Sequence, residues 1–579
     1  MKQVLRKILV AAFFVSSHSA IAGTCPSIGA APRTIASSAE TYATTKGFSL
    51  REDGVVLYDY GKAFNGLGKW ADPFFNSNYA LGLYRDFLNT NCTDEKLKEQ
   101  FLNIADWMIS EGKTRGDMLV WEYPFSDPNF QLAPGWISGI GQSRMASVLL
   151  RANAVTGKSE YKAAAEAAMR AYEHTITEGG VMVYEGDVAW LEEMADIKGN
   201  SFKVLNGHIT GLAGILDYYA ITKDDKWMAV VKRGVAAVKR DIPKFDAGFS
   251  SYYSLKMPSN ARPIAPRVEY NALHVSQLIW MYENFGDPEF LTWAMRFHAY
   301  DMNDDRYSAS SSIDPINHGP ASLRGLYGDH YWSASQFPAD VSIKLSGIEK
   351  ITGVAIDINI AQERPINFSV EARLGGKPVS QKLVRENAAI HLDVLFDAPI
   401  DADEVLVSFK DTADKDILAI KSMMVLRESP RYSAVANDCN FRIRGMHDPA
   451  EYNLNDALNP GPHQMHTYCA GWIVLPRDKD MTMLYAAGGY GATGGFVVES
   501  SDDLVNWKKI GSVPAAGGEV EGLTNSYVRV SFDETMTTIR EVFLSGDSVI
   551  EWRKPSIPAW GDSRISGNAL PAPGSAVIR

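Results

Sequence analysis

Apolar residues at helical spacing recur in pairs of segments between about residues 74 and 303, and the pairs repeat at intervals of about 65 residues. The first pair covers about 74–112; in its second segment Leu97, Phe101, Ile104, Ala105 and Met108 fall on one helical face. The second covers about 139–176 and breaks at Gly157. The third runs about 206–240 and breaks at Thr222-Lys223-Asp224-Asp225; the fourth spans about 270–303 and breaks at Phe285-Gly286-Asp287-Pro288. One amphipathic hairpin cannot bury its apolar face alone. Four of like length predict stacking into an α/α toroid or solenoid.

From about residue 320 the period changes to two. Val341, Ile343 and Leu345 alternate, as do Val354, Ile356, Ile358 and Ile360, then Val405, Val407 and Phe409, and more briefly Phe496 and Val498. These runs predict a multidomain chain: a helical domain over 23–310, a β-sandwich over 320–428, a second over 432–555 and a tail over 556–579. Gly488-Gly489-Tyr490-Gly491 leads into strand-like sequence, so it reads as a hairpin or bulge and not as a phosphate loop. Asp301, Asp304 and Asp305 lack the glycine and glutamate of a calcium loop and read as a solvated helix end.

The links inside each helical pair are short, whereas those between pairs run about 25 to 30 residues, over 113–138, 177–205 and 241–269. Connectors of that length in a compact domain are usually functional. They also collect aromatic and charged residues: Trp121, Glu122 and Tyr123; Tyr184, Glu185, Trp190, Glu192 and Glu193; Tyr252, Tyr253, Lys256 and Arg267. Hairpins stacked in register would bring the three connectors to one face, which defines a candidate site.

Composition adjusts this picture in three ways. Lys2, Arg6 and Lys7, the apolar run Ile8–Val15 and the small-residue site Ala20-Ile21-Ala22 read as a signal peptide over 1–22, so the mature protein is expected to be exported, periplasmic or secreted, with no membrane span. The four cysteines fit export; Cys25 with Cys92 and Cys439 with Cys469 are the natural pairs, although three connectivities are open. The formal charge of −12 argues against nucleic acid as a partner and requires a locally basic groove for any polyanionic substrate. The sequence contains no C-x-x-C, H-E-x-x-H or G-x-S-x-G that would support zinc or serine-hydrolase chemistry, and neither metal nor organic cofactor is implied.

Four blocks in the helical half carry a family resemblance. They are Pro134-Gly135-Trp136-Ile137-Ser138 with Gln142; Trp190-Leu191-Glu192-Glu193; Val204-Leu205-Asn206-Gly207; and Asp246-Ala247-Gly248 through Tyr253-Ser254-Leu255, continued by Arg267-Val268-Glu269-Tyr270 with His274 and Gln277-Leu278. In order and spacing over about 60–305 they resemble the C-terminal catalytic domain of the D-glucuronyl C5-epimerases, which convert glucuronate to iduronate in heparosan-type chains. Tyr331-Trp332-Ser333 resembles the opening of a discoidin-type, galactose-binding-like module, and Ser500-Ser501-Asp502-Asp503 with Trp507 resembles part of another.

The resemblance implies a site. Removing the C5 proton of a uronate develops enediolate charge on the neighbouring carboxylate, which calls for Lys or Arg beside it. Inversion calls for proton carriers on opposite ring faces. By analogy Tyr270, Tyr253 and Glu193 transfer protons, and Lys256 and Arg267 hold the carboxylate. Trp121, Tyr123, Tyr184, Trp190, Glu192, Asn206 and His274 are candidates for substrate binding. Structural roles compete for several of these: packing and turn roles at helix starts for Trp136 and Asn206-Gly207, satisfied core or site-wall positions for His208 and His274. Where the family carries Tyr after the Glu-Glu pair this chain has Met194, and where it has His after the last tyrosine this chain has Asn271.

The expected activity is therefore C5-epimerisation in a glucuronate-containing polysaccharide. A polysaccharide lyase using the same site is the near alternative. A glycoside hydrolase drawing on Glu122, Glu185, Glu192 and Glu193, and a non-catalytic glycan-binding protein, are the others.

Overall fold

A computed structural model of the 579-residue chain describes residues 25–32, 39–44, 47–61, 66–128, 130–256, 269–301, 305–315, 318–324, 331–413, 417–428, 432, 435–438, 465–466, 470–488, 492–533, 536 and 538–545. The expected signal peptide, Arg267, Cys439, Cys469 and the expected tail lie outside the described residues. The chain divides into two compact units, Met1–Trp121 with Arg144–Met169 and Glu122–Ser143 with Arg170–Arg579.

In the first unit, α1 (Ala39–Thr44), α2 (Pro73–Asn89), α3 (Glu95–Glu111), the greater part of α4 (Gly139–Thr156) and α5 (Ser159–Met169) surround a core that includes Tyr84, Phe101, Ile104, Met108 and Ala165. Asp72 starts α2 by accepting from the amides of Phe74 and Phe75, with Pro73 at the first helical position, and Asp94 caps α3 in the same way. Cys25 and Cys92 form a disulfide across 67 residues.

In the second unit α6 (Leu205–Thr222) packs on α7 (Asp225–Asp241) and on α8 (Glu269–Phe285), and α8 packs on α9 (Pro288–Asp301). Their shared core includes Leu205, Ile209, Val238, Phe245, Leu278, Phe290 and Met295. The long connectors are not plain loops: they carry short antiparallel strands, among them the hairpin Met182–Glu185 with Val188–Leu191. Asn206 and Gly207 lie inside α6 and not in a turn.

Beyond α9 the described sheets are antiparallel. A seven-stranded sheet runs in the order Trp332–Ala334, Leu418–Arg427, Ala339–Ile358, His391–Phe409, Phe368–Leu374, Lys377–Val384, with Arg306–Ala309 paired to Ala339–Ile358. Its long strands pass through bulges near Lys344/Glu349 and Ile351/Gly353, and they surround one core containing Trp332, Val341, Ile356, Val370, Val407 and Met423. Asp305 is not solvated: it is buried and accepts from both Arg427 Nη2 contacts, at 2.7 and 2.9 Å. The last region is a five-stranded sheet and a four-stranded sheet sharing one core with Ile473, Leu484, Phe496, Val530 and Leu544. Gly488 sits at a bulge at the end of its strand. Among the described residues no helix is long and apolar enough to cross a membrane.

Candidate active site

The strand Met194–Ala195 pairs with Trp136–Ser138, which pairs with Glu122–Tyr123. This small sheet holds the end of the Glu-Glu pair, and the Gly139 amide donates to the Glu193 carbonyl at 2.9 Å. The two glutamates lie in the bend between the strands Val188–Leu191 and Met194–Ala195 and take different environments.

Glu192 turns inward. It is fully buried, and its oxygens accept from the Ser201 hydroxyl at 2.5 Å and from the amides of Phe202 and Lys203 at 3.1 and 3.2 Å. Burial pushes its pKa up to about 7, while the three hydrogen bonds and the Lys203 charge pull the other way. The carboxylate holds the 201–203 backbone in place.

Glu193 turns the other way and lies against α6. A Cβ at Gly207 would stand 2.3 Å from Glu193 Oε2 and 2.4 Å from its Cβ, so only glycine admits the carboxylate there. Glu193 Oε2 accepts from the Tyr253 hydroxyl at 3.4 Å, and the Tyr253 ring meets Tyr270 edge-on at 4.6 Å. Burial, followed by the Glu193 charge, raises the Tyr253 phenol well above its usual 10, so it remains protonated at neutral pH. Phe130 packs at 6.2 Å from Tyr253, and Asp127 adds further negative charge to its surroundings.

The connector that carries Tyr253 is pinned by its backbone. The Leu205 amide donates to the Tyr253 carbonyl at 3.0 Å, and the amides of Leu255 and Lys256 donate to the Phe202 carbonyl, each at 3.1 Å. Lys256 is exposed beside this connection.

On α8, Tyr270, His274 and Gln277 follow an i, i+4, i+7 stripe. Asn271 is oriented by two main-chain groups: its Nδ2 donates to the Phe297 carbonyl at 2.8 Å and its Oδ1 accepts from the Ser251 amide at 3.0 Å. The Ser251 hydroxyl donates to the same Oδ1 at 2.9 Å and lies 2.7 Å from His274 Nδ1. With the serine proton directed at Asn271, His274 Nδ1 is the donor to Ser251 Oγ. That arrangement gives the Nδ1–H tautomer and leaves Nε2 as an acceptor. That Nε2, Asn206 Oδ1 and Gln277 Oε1 are buried without a hydrogen-bond partner among the described residues. Burial lowers the His274 pKa to about 3, which keeps the ring neutral.

His208 takes the opposite tautomer. Its Nδ1 accepts from the Leu191 amide at 2.9 Å and its Nε2 donates to the Gly234 carbonyl at 3.1 Å, and burial lowers its pKa to about 4. It is a satisfied core histidine.

The other candidates lie outside this cluster. Trp121 belongs to the first unit, where its indole donates to the Met108 carbonyl at 2.8 Å. Tyr123 is buried in a stack on Trp136 at 3.9 Å, and Trp190 stacks on His208 at 4.1 Å within the α6–α9 core. Tyr184 is exposed with Arg233 over its ring. Glu185 enters an ion cluster with Lys203 and Arg240 around the buried Asp241. The site therefore gathers Glu193, Tyr253, Tyr270, His274 and Asn206. It adds Gly207, expected from sequence only as a helix-start device, and Asp127, Phe130, Ser251, Asn271 and Gln277, which had no role assigned from sequence. Of these, Gln277 could have been found from its helical spacing to His274; the others depend on partners far away in the chain.

Residues 115–299 match the D-glucuronyl C5-epimerase C-terminus family. The matched stretch holds all four sequence blocks and every residue of the cluster. An uncharacterized protein of Methanocaldococcus jannaschii is 29% identical over 202 residues, which cover 34% of this chain and 63% of that protein. The D-glucuronyl C5-epimerase of Caenorhabditis elegans is 29% identical over 205 residues, covering 32% of each chain. The chain thus spans less than two thirds of the length of either relative. Among solved structures, a family 32 CBM from C. perfringens NanJ in complex with galactose is similar at 20% identity and a TM-score of 0.18, covering 21% of this chain and 92% of that one; at that score the likeness carries no conclusion here. Within the matched stretch, Met194, which stands where the family carries tyrosine, is buried in the small sheet opposite Ser138.

Proposed function

We propose that this protein is an exported polysaccharide-modifying enzyme that epimerises C5 of D-glucuronate residues to L-iduronate in a glucuronate-containing glycan such as heparosan, with its helical pairs closed as an α/α toroid. The observation that carries the reading is the Glu193–Tyr253–Tyr270 contact inside the epimerase-family segment. Glu193 is the acceptor in that contact and Tyr253 the donor, because the phenol stays protonated. A carboxylate and a phenol so paired can take a proton from C5 and return one, with Tyr270 as the second hydroxyl. Lys256 and Arg267 are assigned to the uronate carboxylate, where positive charge offsets the developing enediolate. Export is tested by the N-terminal sequence of the mature protein, which should start after Ala22.

The test of the chemistry is NMR of heparosan incubated with the mature protein in D2O. Deuterium at C5 in an intact chain with new iduronate signals is the expected result, and Tyr270→Phe should abolish both. Unchanged spectra for heparosan and for other uronans would overturn the reading. A lyase using the same site is the second reading. It requires C5 proton removal with departure of the C4 oxygen, and vinyl protons in shortened products would identify it.

A further inference from the structure

Residues 246–251 form a tight loop in which Asp246 and Ser251 are bridged and the Ala247 amide donates to the Ser250 carbonyl at 3.0 Å. Its foot carries Ser251 and Tyr253, the residues that fix His274 and contact Glu193. Its tip does not stand in solvent. Phe249 is buried against Ala355 and Met424, with Ala247 and Leu426 packed around it. Ala355 and Met424 are paired neighbours on two strands of the seven-stranded sheet, so the phenyl ring rests on a cross-strand pair. Gly248, at φ +80°, makes the turn, and a Cβ there would already touch Leu426 at 3.4 Å. The loop is tied on its other side to α9, where Asp246 accepts from Tyr300 at 2.6 Å and pairs with Arg296.

We propose that the seven-stranded sheet is a positioning platform for the catalytic connector, acting through Phe249. The proposal rests on the reading of Tyr253 and Glu193 as proton-transfer groups. A short loop held at its tip by an apolar anchor loses little freedom when substrate binds, whereas the same loop without its anchor samples other backbone states. The sheet thereby sets the position of the Tyr253 hydroxyl four residues away. Its action is on the chemical step, which distinguishes it from a module that only retains glycan.

The experiment compares Phe249→Ala, Phe249→Leu and Leu426→Ala in the full chain with Val370→Ala, a deletion in the sheet's own core away from the loop. Amide hydrogen exchange is read at Ser251 and Leu205, whose N–H groups bond Asn271 and the Tyr253 carbonyl. C5 exchange kinetics are read in parallel. Phe249→Ala should raise exchange at both amides by at least tenfold over Val370→Ala. It should lower kcat about 100-fold with KM nearly unchanged; Phe249→Leu should recover most of both, and Leu426→Ala should fall between. Unchanged exchange at Ser251 and Leu205 in Phe249→Ala would overturn the platform, as would a rise in KM at constant kcat. The amide readout stands even if no uronan is turned over, so failure of the enzymatic reading is seen separately.

Discussion

Glu193 rests its carboxylate on Gly207, with no room for even one methyl group between them. The glycine is helical, so its role is the close approach and not a special backbone angle. Gly207→Ala should displace Glu193 from Tyr253. The expected outcome is a loss of about 100-fold in C5 exchange rate with a melting temperature lowered only by the overpacking, about 1–3 kcal/mol in stability. Rate and thermal unfolding measured on the same sample check this, and an unimpaired rate would remove Glu193 from the mechanism.

The Asn271–Ser251–His274 chain makes a spectroscopic prediction. In the native protein, nitrogen-detected NMR of labelled histidine should show His274 protonated at Nδ1 and bare at Nε2, with His208 reversed. Ser251→Ala removes the partner of His274 Nδ1 and should release the tautomer preference while His208 is unaffected. A native His274 protonated at Nε2 would refute the assignment.

Glu192 predicts a pH dependence of stability. Its folded-state pKa of about 7 exceeds the ordinary 4.5, so between those values the folded protein binds more proton than the unfolded chain. Stability from this group is full below about pH 4.5 and falls as pH rises toward 7, by up to about 3 kcal/mol. Glu192→Gln keeps an acceptor for the Phe202 and Lys203 amides and can donate to Ser201, so the variant should lose this slope and keep the fold. Denaturant unfolding from pH 4.5 to 8 measures it; an unchanged slope would show that Glu192 is ionised throughout.

The Cys25–Cys92 bond closes a loop of 67 residues in sequence separation. Chain entropy alone gives such a crosslink about 4 kcal/mol. The double variant Cys25→Ala/Cys92→Ala should lower the unfolding midpoint of the first unit. Equal midpoints with and without the bond would show that the unfolded chain is already restricted there.

Much of this architecture is legible along the chain because it is local. A 3.6-residue period, an aspartate before each of α2, α3 and α7, and glycine or proline at the breaks define helix pairs within a window of a few turns. Alternation at Val341, Ile343, Val405 and Val407 defines strands in the same way. The tyrosines and the Glu-Glu pair are equally visible, since they are residue types in a recognisable order.

What sequence could not choose was decided by contacts between distant segments. Two adjacent glutamates look alike until one is buried on the 201–203 backbone and the other meets a tyrosine 60 residues later. Trp121, Tyr123 and Trp190 share the connectors with the site residues, yet packing takes them into cores, because large aromatic surfaces gain most from burial. Phe249 carried no reading from sequence; strands more than a hundred residues away supply the pair on which it rests. Helix and strand patterns follow from each residue's own neighbours in sequence; the geometry of the candidate site follows from which surfaces the folded chain brings together.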